Sequence, residues 1–210
     1  MKELATLFVS SFKGKNLYAH ISAYILTYLL VISGLDWKYF LIMNNLAPRY
    51  ILFSADILGY IFPFLLIVFL FTYGKINKKT HYINLSFILI KTVVTAFLVA
   101  LLYKSFTGRI SPPDHGILID TSNQWNFGFM DYSVLGGWPS THAMVMFAIA
   151  SSLVTLYPKS YLLHVLIYIL ALYVGIGVSI EFHWLSELLS GIIIGTIIGI
   201  TVVNKSINAK

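Results

Sequence analysis

Two histidines, two cations and one glutamate carry the chemistry open to this sequence. His142 follows Gly137-Trp138-Pro139-Ser140-Thr141, where a long polar and aromatic loop gives way to an apolar run. Proline suits the start of a helix, and Ser140 and Thr141 can cap it. A helix start presents unpaired backbone N–H groups and the positive end of the helix dipole, so it attracts phosphate. His142 then falls in the first turn, aimed at whatever that turn binds. Farther along, His183 and Glu187 are four residues apart, on one helix face and within hydrogen-bonding reach. A carboxylate on one imidazole nitrogen fixes the tautomer and makes the other nitrogen a better base or nucleophile. Lys104 and Arg109 precede both clusters. Two His, two cations and a helix start suit metal-free phosphoryl transfer. One His attacks phosphorus, the cations hold the equatorial oxygens, and the other His protonates the leaving oxygen.

Each piece alone has an ordinary structural reading. Lys104 and Arg109 could be snorkelling anchors at a membrane edge. His183 with Glu187 could be a buried structural pair, and Pro-Ser-Thr-His a capped membrane helix with an interfacial His. Glu181 reads as an interfacial acid. Asp114, His115, Asp120 and Asp131 read as a solvated loop. Three clusters recurring on one face make the joint structural reading much weaker than any single one.

The elements that must position these residues are membrane helices. Of 210 residues, 58% are hydrophobic and only 10% charged, against about 25% charged in soluble domains. The composition therefore predicts an all-α, polytopic membrane bundle of one domain, 1–210, with its catalytic loops on the outer face. Six spans are expected, roughly Leu17 to Leu35, Ile51 to Tyr73, Ile83 to Tyr103, Thr141 to Tyr157, Tyr161 to Ile180 and Trp184 to Val203. Met1 to Lys15 reads as a short interfacial helix rather than a cleaved signal. Asp36 to Arg49, rich in aromatics, reads as a re-entrant or surface segment at headgroup level. Pro63 is expected to kink the second span. Lys91 lies within the third span and receives no chemical role.

Charge sets the orientation. Six spans put both termini on one side, and the basic side belongs to the cytoplasm. That side holds Lys2, Lys13, Lys15, Lys75, Lys78, Lys79, Lys159, Lys205 and Lys210, nine of the fourteen cations. The candidate catalytic residues then all lie at the extracytoplasmic face. The net charge of +6 is accounted for by topology, so no nucleic-acid partner is expected. The absence of cysteine excludes thiolate chemistry and zinc held by Cys.

The residues resemble the type 2 phosphatidic acid phosphatase superfamily, whose membrane members have six spans. That family reads Lys-x6-Arg-Pro, then Pro-Ser-Gly-His, then Ser-Arg-x5-His-x3-Asp. Lys104 and Pro112 match the first motif. Pro139, Ser140 and His142 match the second, with Thr141 in place of Gly. His183 matches the third, with Glu187 in place of Asp. The resemblance implies a phosphohistidine mechanism. In it His183 is the nucleophile, His142 the general acid and Glu187 the group orienting His183. Lys104 and the backbone from Ser140 through Thr141 to His142 hold the phosphate. Two departures stand out. The first-motif Arg falls at Ser111, and Arg109 is expected to take over its role. The third-motif Arg falls near Gly177, and no Arg follows Arg109. Losing one preorganised donor typically costs about 100- to 1,000-fold in rate.

The resulting expectation is a bacterial-type inner-membrane phosphatase or phosphotransferase without cofactor or metal, its oligomeric state open. Its substrate would be a lipid phosphate or diphosphate at the outer leaflet: a polyprenyl diphosphate, lipid A or a phosphatidyl phosphate. Two alternatives differ in class. One is a non-catalytic lipid-phosphate binder or transporter that keeps the scaffold. The other is a metal-dependent hydrolase using His142, His183 and a carboxylate, for which two His on different helices without HExxH is a poor signature.

Overall fold

The computed structural model describes residues 2–114, 117–130 and 137–208; His115 and Asp131 lie outside them. Eight α-helices run through the described residues. They are α1 (Lys2–Ser11), α2 (Lys15–Ile32), α3 (Leu35–Leu46), α4 (Arg49–Ile76), α5 (Thr80–Thr107), α6 (Thr141–Leu156), α7 (Tyr161–Val178) and α8 (Leu185–Asn208). Four of them, α4, α5, α7 and α8, are long and apolar enough to cross a membrane. The pair α2 and α3 adds a fifth crossing if taken as one span, with a bend of 75° between the two helices. Helix α6, expected as a span, has 16 residues, about 24 Å at 1.5 Å per residue. By length and composition, then, four or five spans stand where six were expected.

Helix α6 is the axis of the bundle. Every residue from His142 to Leu153 is buried, which is the pattern of a helix enclosed on all sides. Its closest partner is α8, and the reason is a stripe of small residues. A Cβ at Gly191 would lie 2.7 Å from the Ser140 carbonyl oxygen, and one at Gly195 or Gly199 would also strike the α6 backbone. Without a hydrophobic drive between helices in lipid, such close backbone approach is what holds them together. Trp138 fastens the loop end to this core. Its indole N–H donates to Thr27 Oγ1 at 2.8 Å and Ser190 Oγ at 2.9 Å. Interhelical hydrogen bonds of this kind contribute roughly 1 kcal/mol each.

The connection from α5 to α6 is partly ordered by its own backbone. Ile110 N–H donates to Gln124 O and Asn126 N–H to Gly108 O, so the chain doubles back as a short antiparallel ladder bridging Arg109 and Trp125. Helix α4 is continuous through Pro63. Pro139 does not open α6: the peptide before it is cis, and Ser140 is the N-cap, its Oγ accepting from Ala143 N–H at 3.4 Å. Lys91 pairs with Glu3 of α1, which ties that helix to the flank of α5.

Candidate active site

The ends of α5 and α7 and the starts of α4, α6 and α8 meet at one end of the bundle. His183 sits in the turn between α7 and α8, and its Nδ1 donates to Glu187 Oε2 at 2.6 Å. Both are buried, Glu187 completely. The expected i, i+4 pair is therefore formed, and it leaves Nε2 as the free imidazole nitrogen. Burial pushes the His183 imidazole below its ordinary range, as do Lys104 and Arg109. The Glu187 hydrogen bond and charge pull it partway back.

His142 faces His183 with ring centroids 6.1 Å apart. Neither ring nitrogen of His142 has a hydrogen-bond partner among the described residues. Asp56 Oδ1 of α4 lies 3.3 Å from its Nε2, within ion-pair distance though not aligned as a hydrogen bond. Tyr60 packs edge-on against the ring at 4.5 Å. Lys104, in the last turn of α5, donates to Gly137 O at 3.2 Å and is buried. Ser140 N–H donates to the Glu187 carbonyl at 3.1 Å, which couples the start of α6 directly to the start of α8.

Two cavities share the histidine pair. One, of about 220 Å³, runs between α4, α5 and α6. It is lined by Lys104, Thr141, His142 and His183 at its head and by Pro63, Val93, Phe97, Leu101 and Val145 along its length. The other, of about 440 Å³, has a polar wall that includes Asp56, Ser111, Asp114 and Glu181 together with both histidines. The geometry is a polar vestibule joined to an apolar slot, with two imidazoles at the junction.

Of the expected residues, Lys104, Thr141, His142 and His183 line the slot, and Glu187 stands directly behind His183. Ser140 is spent on capping and on the Glu187 carbonyl. Arg109 is the correction: it lines neither cavity. Its side chain is fully buried, ion-paired to Asp36 at 2.6 Å and stacked on Trp125 and Trp184. The guanidinium is thus turned into protein rather than toward a phosphate. Gly177, at the position of the missing Arg, is where α7 meets α4; a Cβ there would run into Ala55. No long side chain fits at that contact. Glu181 is held in a bidentate pair by Arg49, both bonds 3.0 Å. Asp120 accepts from Ser122 N–H and shapes the turn.

Sequence reasoning passed over Asp36 and Asp56. A signal existed for Asp56: an ionisable residue inside an apolar span marks a functional site by default. Nothing local distinguishes Asp36, whose partners come from residues far along the chain.

The PAP2 superfamily model matches residues 80–209, a stretch that contains all the motif residues. The fold is similar to the crystal structure of a transmembrane PAP2-type phosphatidylglycerolphosphate phosphatase from Bacillus subtilis. That match has a TM-score of 0.61 at 16% identity and covers 92% of this chain and 98% of that one. At this identity the likeness is one of fold. Comparison with curated proteins by sequence found no match.

Proposed function

The chain belongs to the PAP2 superfamily, and from that premise we propose that it is a membrane phosphatase or phosphotransferase acting on lipid phosphates or diphosphates through a phosphohistidine. One observation carries the reading: an imidazole tethered at Nδ1 by a buried carboxylate, facing a second imidazole across the head of an apolar slot. With ring centroids 6.1 Å apart, both imidazoles are near enough to reach one phosphoryl group. His183 Nε2 forms the N–P bond as the P–O bond to the lipid breaks, and the leaving oxygen takes a proton from His142. Water or a lipid acceptor then attacks phosphorus, losing its proton to His142, and the N–P bond breaks. Lys104 and the N–H groups at the start of α6 hold the equatorial oxygens, in place of a metal ion. The apolar slot accepts acyl or prenyl chain next to the phosphate, which favours a lipid over a soluble phosphate ester.

The site is proposed to open to the outer face of a bacterial-type plasma membrane, with both termini in the cytoplasm. The helix ends opposite the site carry Lys75, Lys78, Lys79, Lys159 and Lys205, as the positive-inside rule requires. The chain has no cysteine, so single cysteines placed at Asn77 and at Asn123 report sidedness cleanly. Labelling of Asn123→Cys, and not of Asn77→Cys, by an impermeant maleimide on intact cells supports this topology, and the reverse pattern refutes it.

The activity is tested by phosphate release from a polyprenyl diphosphate, lipid A and a phosphatidic acid, each with and without EDTA. Release that survives EDTA and disappears in His183→Ala supports the proposal. Binding of these lipids without turnover would instead favour a non-catalytic binder on the same scaffold.

A further inference from the structure

We propose that Asp36 and Arg109 are a positioning pair that holds Glu187 against His183, extending the dyad into a buried chain from Asp36 through Arg109 and Glu187 to His183. The proposal rests on His183 being the nucleophile. Asp36 lies in the first turn of α3, outside the stretch matched by the family model. Its Oδ1 accepts the Ser186 backbone N–H at 2.8 Å, and its Oδ2 accepts Ser186 Oγ–H and Arg109 Nη2–H, both at 2.6 Å. Ser186 adjoins Glu187, so Asp36 fixes the first turn of α8 from which Glu187 projects.

Arg109 is held from several sides. Nη1 donates to Ser186 Oγ at 2.6 Å and Nη2 to Ser122 O at 2.9 Å. Only its Nε has no hydrogen-bond partner among the described residues, and the same is true of Glu187 Oε1. These two atoms face each other at 3.7 Å. Glu187 thus presents one oxygen to His183 and the other to Arg109, and its carboxylate plane is set from both ends.

The charges explain why two residues are needed. Arg109 alone would compensate Glu187 and oppose positive charge on His183. With Asp36 behind it, the ionised side chains of Asp36, Arg109 and Glu187 leave one net negative charge. That charge is neutralised as His183 becomes an imidazolium on bonding phosphorus, which is preorganised stabilisation of developing charge. Other charged or titratable groups around His183 are Lys104 from α5, His142 from α6 and Asp56 and Tyr60 from α4, with Asp114 and Glu181 on the wall of the vestibule that His183 lines. Asp36 and Arg109 touch neither cavity, so they act through Glu187 and not on substrate.

The test is the double variant Asp36→Asn/Arg109→Gln in the full-length chain, assayed on dioctanoyl phosphatidic acid in detergent. Removing both charges together leaves neither member of the Asp36–Arg109 pair as a lone buried ion, and Glu187 keeps its bond to His183. The expected result is a kcat lowered by about 10- to 100-fold, the usual cost of losing an outer-shell partner, with KM within about twofold. The rapid-quench rate of phosphoenzyme formation should fall by the same factor. The acid limb of kcat/KM should move to higher pH, because the nearer of the two lost charges is the cation that opposed His183 protonation. Asp36→Asn alone should move that limb the other way, and it decides the matter if the double variant does not fold. Unchanged kcat and pH limb overturn the proposal. A loss confined to KM also overturns it, since that would make Arg109 a phosphate ligand. If the wild type forms no phosphoenzyme and His183→Ala still turns over, the nucleophile assignment fails. If the wild type forms a phosphoenzyme and the double variant matches its rate, only the positioning pair fails.

Discussion

Asp56 stands 3.3 Å from the Nε2 of His142, on a helix that the sequence presents as one long apolar span. If His142 is the general acid of the proposed reaction, Asp56 is the carboxylate within ion-pair distance of its protonated form. Asp56→Asn should therefore lower kcat by about 100-fold on an alkyl phosphate, near the lower end for a lost acid. On p-nitrophenyl phosphate, whose leaving group departs unprotonated, the loss should be small. Equal losses on both substrates would remove Asp56 and His142 from the proton path.

His183→Ala should abolish turnover while leaving the helical content unchanged in detergent. The motivation is the 2.6 Å bond from His183 to the buried Glu187. Turnover within tenfold of wild type in that variant would rule out the covalent step.

The pH dependence follows from the direction of the His183 shift. Burial lowers its pKa in the folded protein below the ordinary 6.5, so the unfolded chain binds its proton first. The stability from neutral His183 is fully present above pH 6.5 and is lost as pH falls toward and through the folded-state value. Activity that requires neutral Nε2 should persist below pH 6.5 and then fall on a single acid limb. A limb centred above 6.5 would contradict the burial of His183 as the controlling factor.

With Arg109 turned away, neither of the two Arg positions of the family pattern supplies a cation here, and one of them, Ser111, lines the vestibule. Ser111→Arg should raise kcat/KM on lipid phosphates by about tenfold or more, because a guanidinium grips phosphate with two parallel bonds. No gain, or a loss, would mean that the phosphate is already fully held without it.

Filling the apolar slot should separate lipid from soluble substrates. Leu101→Trp adds bulk to a cavity of about 220 Å³. It should raise KM for a long-chain phosphatidic acid by about tenfold while leaving p-nitrophenyl phosphate hydrolysis within about twofold. Equal effects on both would show that the slot does not take the chain.

The sequence exposed the pieces whose partners are close in the chain or sit at helix starts. The four-residue spacing of His183 and Glu187, the Ser140 cap and the placement of Lys104 all appear in the structure. Spans were legible from hydropathy, but α6 was read by its apolar length alone. Its enclosure by neighbours, which frees it from having to match the bilayer, is a tertiary property. Arg109 was expected at the phosphate because it stands two residues before Ser111, where the resemblance places an Arg. What claims it is Asp36, which folds in from α3 and binds it in a buried pair. Asp56 was legible as one acid in an apolar run; its partner, His142, appears only when α4 is laid beside α6.

The bond from Ser140 N–H to the Glu187 carbonyl has a mechanical consequence. It ties the start of α6 to the residue whose carboxylate is bonded to His183, so the two sit on one rigid frame. That frame is short and wrapped by protein. Helices α2, α4, α5 and α7 carry exposed apolar faces, and α4 and α5, at 28 residues each, are the longest. Bilayers of different thickness would tilt or bend those outer helices, at a cost of fractions of a kcal/mol per Å of mismatch. The spacing between Ser140 and His183 would not follow. Membrane thickness can thus change how wide the slot stands open, while the chemistry at its head keeps one geometry.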